Sequence, residues 1–261
     1  MYQPLASIIN LDAHPLDDAN FRAQCKQSLD EQGALVIPNF LKPAAITSIQ
    51  VEGEKNKHLA YYTANEHNIY LTSSDPNYSM DHPRNKAVAS SKGCITTDQI
   101  PADSALRSLY DAAEFREFLC AVLGEQALYE YADPLSSINL HYASEGQELG
   151  WHYDNSSFAI TLMIQAPKRG GVFEYAKDVR DADNGDMNYS LSGDILAGNV
   201  STNTLSMDAG ALVLFRGRNS MHRVTPVKGE RTRMLVVLAY NTEPNVSLSE
   251  SARMTFFGRL G

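Results

Sequence analysis

The chain has 261 residues, 43% hydrophobic and 20% charged, the composition of a folded globular protein and too apolar for a disordered one. Its net charge is −9 and its basic residues are scattered rather than clustered, which excludes the electrostatic footprint of a nucleic-acid binder. No stretch approaches the roughly 18 apolar residues of a membrane helix, and MYQPLASIINLDAHPLDD lacks the basic and apolar regions of a signal peptide, so a cytoplasmic protein is expected.

In chain order, DANFRAQCKQSLDEQG (18–33) has apolar positions at helical spacing, an Asp placed to cap and a closing Gly, and predicts a helix. ALVIPNFL follows as a short strand, and KPAAITSIQVEGEKNKHLAYY as a second helix with its proline in the first turn. Residues 66–104, dense in Pro, Asp, Asn and Ser, read as one long irregular loop of the kind that carries function. SALRSLYDAAEFREFLCAVLG returns to helical spacing, with Gly124 as its stop.

Beyond it the period becomes two. LSSINLHYAS, FAITLMIQ, GGVFEYA, NTLSMDAGALVLF and RTRMLVVLAY are short strand-like runs, which predicts antiparallel strands closing into a sandwich or barrel. The insert KDVRDADNGDMNYSLSGDILAGNV is a candidate lid. The expected organisation is a single domain over 1–261, with 1–125 as helical flank and covering loop and 126–261 as the β core. Cys25, Cys94 and Cys120 have no metal or disulfide spacing and read as buried free thiols.

The stretch WHYDNSSFAITLMIQ carries the chemistry. On extended chain, positions i and i+2 share a face, so His152 and Asp154 project together while Tyr153 points away. His222, just after the strand GALVLF, supplies a third donor. Two imidazoles and one carboxylate hold Fe(II) with neighbouring positions left open, as oxygen chemistry requires, whereas a structural zinc would close its sphere with a fourth ligand that has no candidate here. Lys228-Gly229 reads as a two-residue turn that would pair Val224 with Arg233 and Pro226 with Arg231, placing both arginines on His222's face to grip a carboxylate.

The order H-x-D, long insert, H, then an arginine nine to eleven residues on resembles the Fe(II)/2-oxoglutarate-dependent oxygenases. HNIYLTSSDP, DHPRNK, YEYADPLSSINLHY, GWHYD, GGVFEY, LVLFRGRNSMHRVTPVKGERTR and FFGR further resemble a bacterial subgroup of that family acting on free amino acids, which contains halogenases and hydroxylases. The resemblance implies a mainly β double-stranded β-helix, with Fe(II), 2-oxoglutarate and O2 as cofactor and co-substrates and succinate and CO2 as co-products. It implies hydroxylation rather than halogenation, because the halogenases have a small residue where this chain keeps Asp154. It also favours Arg231 over Arg233 for 2-oxoglutarate.

Thr161 and Gln165, polar in an apolar run, are further candidates to face the co-substrate carboxylate. For an amino-acid substrate, Arg84 is a candidate clamp for the α-carboxylate, and Glu130 with Asp133 a candidate receiver of the ammonium. Asn155 and His141 are candidate contacts, each equally readable as a turn residue or a packed histidine; Trp151 reads as packing. The expectation is a free-amino-acid hydroxylase with no nucleic-acid or membrane partner. A peptide, protein or carrier-bound amino-acid hydroxylase and a non-catalytic β-barrel binding module are the rival readings.

Overall fold

The computed structural model describes residues 3–261. In chain order the elements are α1 (Leu5–Ile8), α2 (Ala19–Gln32), β1 (Ala34–Ile37), α3 (Pro43–Asn56), β2 (Tyr61–Asn68), β3 (Ala87–Ile95), α4 (Ala105–Asp111) and α5 (Ala113–Leu123). There follow β4 (Ile138–Ala143), β5 (Leu149–His152), β6 (Ala159–Gln165), β7 (Arg169–Gly170), β8 (Phe173–Ala176), α6 (Tyr189–Leu196) and β9 (Asn203–Leu205). The chain closes with β10 (Leu212–Phe215), β11 (Met221–Val224), β12 (Val227–Lys228), β13 (Arg233–Leu238) and α7 (Glu250–Phe257).

Local chemistry accounts for the helix ends. The Asp18 carboxylate accepts from the Phe21 N–H to start α2, and Gly33 ends it at φ 72°, a left-handed value that costs glycine little. Among the described residues, eleven strands make one antiparallel sheet in the order β1-β10-β6-β13-β4-β3-β5-β11-β8-β9, with β2 added to β3. One wall is β1, β10, β6, β13 and β4; the other is β5, β11, β8 and β9. β3 joins them, pairing with β4 through Gly93–Ile95 and meeting β5 at Ser90. This nearly closed antiparallel barrel is the double-stranded β-helix, or jelly-roll, fold.

The first wall is two-faced. Leu140 and Tyr142 on β4, Ile160, Leu162 and Ile164 on β6, and Met234, Val236 and Leu238 on β13 join one apolar cluster with helix residues such as Leu29, Ile49, Leu109, Phe115 and Phe118. Each such side chain taken fully from water contributes about 1.5–3 kcal/mol. The alternate residues, His141 and Ala143, Thr161 and Met163, Arg233 and Leu235, therefore face the barrel interior.

Four sequence expectations need correction. Residues 66–104 are not one loop: β2 and β3 form a hairpin, leaving 69–86 irregular, because β2 is exposed on most positions and shows no apolar alternation. The 104–124 helix is two, broken at Ala112, whose ψ of 122° is extended. The N-terminal half is not only helical flank, since β1, β2 and β3 enter the barrel sheet. Lys228-Gly229 does not join β11 to β13: β12 pairs with β7, β11 lies between β5 and β8, and β13 between β4 and β6. The chain there crosses between walls instead of folding back on one. α7 went unread in the sequence. Cys25 and Cys94 are buried free thiols, while Cys120 is half-buried.

Candidate active site

His152 ends β5 and His222 sits directly opposite it on β11, so the antiparallel register sets the two imidazoles side by side, ring centres 4.2 Å apart. Asp154 lies two residues beyond the strand, its backbone N–H donating to the Gly217 carbonyl at 3.1 Å. The extended alternation persists there: Tyr153 points the other way, buried and stacked on Tyr70 at 5.4 Å. Asp154 Oδ1 stands 3.5 Å from His222 Nε2 and 3.8 Å from His152 Nε2. All three donor atoms lie within 4.8 Å of one another, close enough for one ion to bridge.

Orientation and charge state suit a metal. His152 Nδ1 is 2.7 Å from the Gly150 carbonyl and His222 Nδ1 is 3.0 Å from the Ser220 carbonyl. A carbonyl can only accept, so each Nδ1 carries the proton and each Nε2 lone pair is left for a ligand bond. Burial, then the neighbouring His222, holds His152 well below its ordinary pKa and therefore neutral. Burial alone would raise the Asp154 carboxyl, but His222, His152 and Lys92 outweigh it and hold the group ionised. Gly217 is part of the construction: a Cβ there would lie 1.9 Å from Asp154 Oδ2.

Of the two candidate arginines, Arg231 is exposed while Arg233 is buried on the interior face of β13. The difference follows from β13 starting at Arg233, so that only this arginine is carried into the barrel. Its Nε has no hydrogen-bond partner, and burial alone pushes its pKa down to about 10. A guanidinium buried without a carboxylate is a costly arrangement that an anion would relieve. Around it Lys92, His141, Ala143, Leu149 and Val224 line a small enclosed cavity. Thr161 is half-buried on the same interior face, paired across the sheet with Val213 and Val237, and Gln165 donates to the Thr232 carbonyl at 2.8 Å.

Over the metal ligands, residues 69–86 and the insert pack on each other. Tyr70 Oη donates to the Met187 carbonyl at 3.2 Å, His82 stacks on Tyr78 at 4.3 Å, and Tyr189 of α6 meets both rings edge-on. Arg180 lies 4.2 Å over Tyr153 and 5.6 Å from Tyr70. Arg84 lies 5.7 Å from the Tyr70 ring, donating to the Ser73 carbonyl, while its buried Nη1 has no hydrogen-bond partner among the described residues.

The remaining candidates separate clearly. Glu130 is exposed and lines a hollow of about 250 Å³ with Arg107, Tyr110 and Asp111, so the fold does not bring it to the metal ligands. Asp133 is committed to the backbone, accepting from the Leu135 and Leu248 N–H groups and from Ser136 Oγ. The Asn155 side chain is exposed, and the residue's backbone carbonyl accepts from Arg218. Trp151 packs beneath the Arg223 guanidinium at 4.7 Å.

With this geometry in view, the profile of the family described as Halogenase D matches residues 17–255. The chain belongs to the Halogenase D family. A comparison with curated proteins finds no match. Solved structures share the fold at low identity. The alpha-ketoglutarate-dependent epimerase SnoN from nogalamycin biosynthesis aligns with TM-score 0.59 and 12% identity over 85% of this chain and 84% of that one. An oxidoreductase of the 2OG-Fe(II) oxygenase family from Burkholderia pseudomallei aligns with TM-score 0.55 and 13% identity over 87% and 93%. HygX from Streptomyces hygroscopicus, solved with nickel, 2-oxoglutarate and hygromycin B, aligns with TM-score 0.51 and 13% identity over 84% and 86%. Family, fold and the His-Asp-His grip together make this member of the Halogenase D family an Fe(II)/2-oxoglutarate-dependent oxygenase.

Sequence reasoning missed three parts of this Halogenase D site. Gly217, in RGRNSMH, carries no pattern of its own, and only the approach of Asp154 explains it. Lys92 was hidden in what read as loop. His67 stands in the stretch that read as loop; its Nδ1 donates to the Asn68 carbonyl, so its Nε2 accepts from the Ser90 hydroxyl at 2.7 Å. Ser90 Oγ in turn accepts from the Gly150 N–H at 2.9 Å, which braces the carbonyl that orients His152.

Proposed function

We propose that this oxygenase hydroxylates an unactivated C–H of a free amino acid or a similarly small molecule, with His152, Asp154 and His222 holding Fe(II). The carrying observation is that Asp154 stands in the ligand set, in a space that Gly217 keeps clear. A family described by halogenation would need that position open for a halide; here a carboxylate fills it. The residues fit the metal in donor type and tautomer. When bound, iron and 2-oxoglutarate supply the oxidising power, so that substrate C–H, O2 and 2-oxoglutarate become alcohol, succinate and CO2.

The chain's own residues do the rest. Arg233, rather than Arg231, holds the far carboxylate of 2-oxoglutarate, since it is the buried cation without a partner, and Thr161 offers a hydroxyl on the same face. Arg84, with a buried free N–H, receives the substrate carboxylate. The 69–86 loop and the insert pack on each other through Tyr78, His82 and Tyr189, a covered arrangement that favours a small substrate over a peptide. His141 lines the co-substrate cavity, and Asn155, exposed one residue beyond Asp154, is a further substrate contact.

The test is anaerobic loading with Fe(II) and 2-oxoglutarate, then oxygen with a panel of free amino acids, scoring succinate and product mass. One amino acid gaining one oxygen supports the proposal. Slow succinate formation indifferent to every amino acid would remove the free-amino-acid substrate and point to carrier-bound or peptide substrates.

A further inference from the structure

Two cations share the barrel interior, Arg233 buried and Lys92 half-buried, and so far Arg233 alone has been given a partner. β3 pairs Gly93 with Tyr142 and Cys94 with His141, so one step along the ladder Lys92 stands opposite Ala143. On its other side Ala143 stands opposite Arg233. Lys92, Ala143 and Arg233 thus lie in line across three neighbouring strands on one face, the two long side chains springing from backbones roughly 10 Å apart. Ala143, with a single methyl, leaves room between them, and a small cavity of about 10 Å³ is lined by all three residues.

Among the described residues no carboxylate forms an ion pair with either cation, although Glu148 also lines the cavity. The Lys92 ammonium lies against the His141 ring, at 3.3 Å from Nδ1 and 3.4 Å from Nε2. An ammonium has three N–H donors, so two remain after His141 is served. Arg233 keeps its Nε unpaired. A carboxylate has about four acceptor directions and can take both groups at once. Asp154 and Arg233 both act electrostatically on Lys92.

We propose that Lys92 is a second grip for the distal carboxylate of 2-oxoglutarate, closing on it from β3 while Arg233 closes from β13 across Ala143. This rests on the 2-oxoglutarate reading above. The small residue at 143 sets the width of the clamp.

The experiment titrates anaerobic Fe(II)-loaded protein with 2-oxoglutarate and with 2-oxopentanoate, which has the same chain length and no distal carboxylate, by calorimetry. Lys92→Met is expected to weaken 2-oxoglutarate by about 10- to 100-fold, the loss of one charge-assisted bond, with 2-oxopentanoate changed less than about 2-fold. Lys92→Arg should retain most of the affinity. Ala143→Leu, which keeps both cations and fills the gap, should lose 2-oxoglutarate as Lys92→Met does; it decides the matter if Lys92→Met does not fold. Wild-type affinity in Lys92→Met, or equal losses for both ligands, would overturn the clamp while leaving the 2-oxoglutarate reading in place. No 2-oxoglutarate binding by the wild-type protein would remove that reading and the clamp together.

Discussion

The two faces of the wall formed by β4, β13 and β6 are built from adjacent residues and obey opposite rules. Outward, Leu140, Leu162 and Val236 are fully buried among aliphatic and aromatic neighbours. Inward, at the alternate positions of the same strands, His141, Thr161 and Arg233 put polar groups where few partners meet them. The outer face gains stability from burial; the inner face gives stability up, holding a guanidinium away from water with no anion beside it. A strand's period of two lets one sequence do both.

This contrast can be broken in order of expected effect. Asp154→Ala should abolish detectable Fe(II) binding and succinate formation while thermal unfolding stays cooperative; metal bound at wild-type stoichiometry would show that the triad is not the site. Leu162→Ala, on the outer face, should cost about 2–5 kcal/mol of stability yet leave 2-oxoglutarate affinity unchanged in the folded protein, read by urea unfolding and calorimetry.

Arg233→Met should do the reverse. The depression to about 10 corresponds to about 3 kcal/mol, so the ligand-free variant should be more stable than wild type by up to that amount while binding 2-oxoglutarate about 10- to 100-fold more weakly. The sign follows from linkage. Burial lowers the folded-state pKa of a base, so the cost is fully present below about pH 10 and is relieved only as pH rises through it. The gain should therefore be constant from pH 6 to 9, and a gain that varies across that range would mean other groups set it. Smallest, Gly217→Ala should displace the Asp154 carboxylate and weaken Fe(II) by about 10- to 100-fold without loss of fold.

The same contrast explains what could be read before the fold was known. Helix α2 was legible because its signals are local: an Asp cap, a helical apolar face and a Gly stop. The His-Asp pair was legible for the same reason, being two positions on one extended segment. What failed was non-local. Nothing near residue 228 says that β11 and β13 lie in different walls, so the hairpin drawn through Lys228-Gly229 had no local signal against it. The β2–β3 hairpin was invisible because β2 is solvated on most positions and needs no alternation. The choice between Arg231 and Arg233 turns on which is carried inside, a property of where β13 begins.

The most direct test of the account is the product made with the substrate identified from the amino-acid panel, in buffer saturated with chloride. With Asp154 occupying the position that a halide would need, the wild-type enzyme should add one oxygen and no chlorine, and Asp154→Gly should lose that oxygenated product. Chlorinated product from the wild-type protein would contradict the reading of Asp154 as a metal ligand on which the account stands.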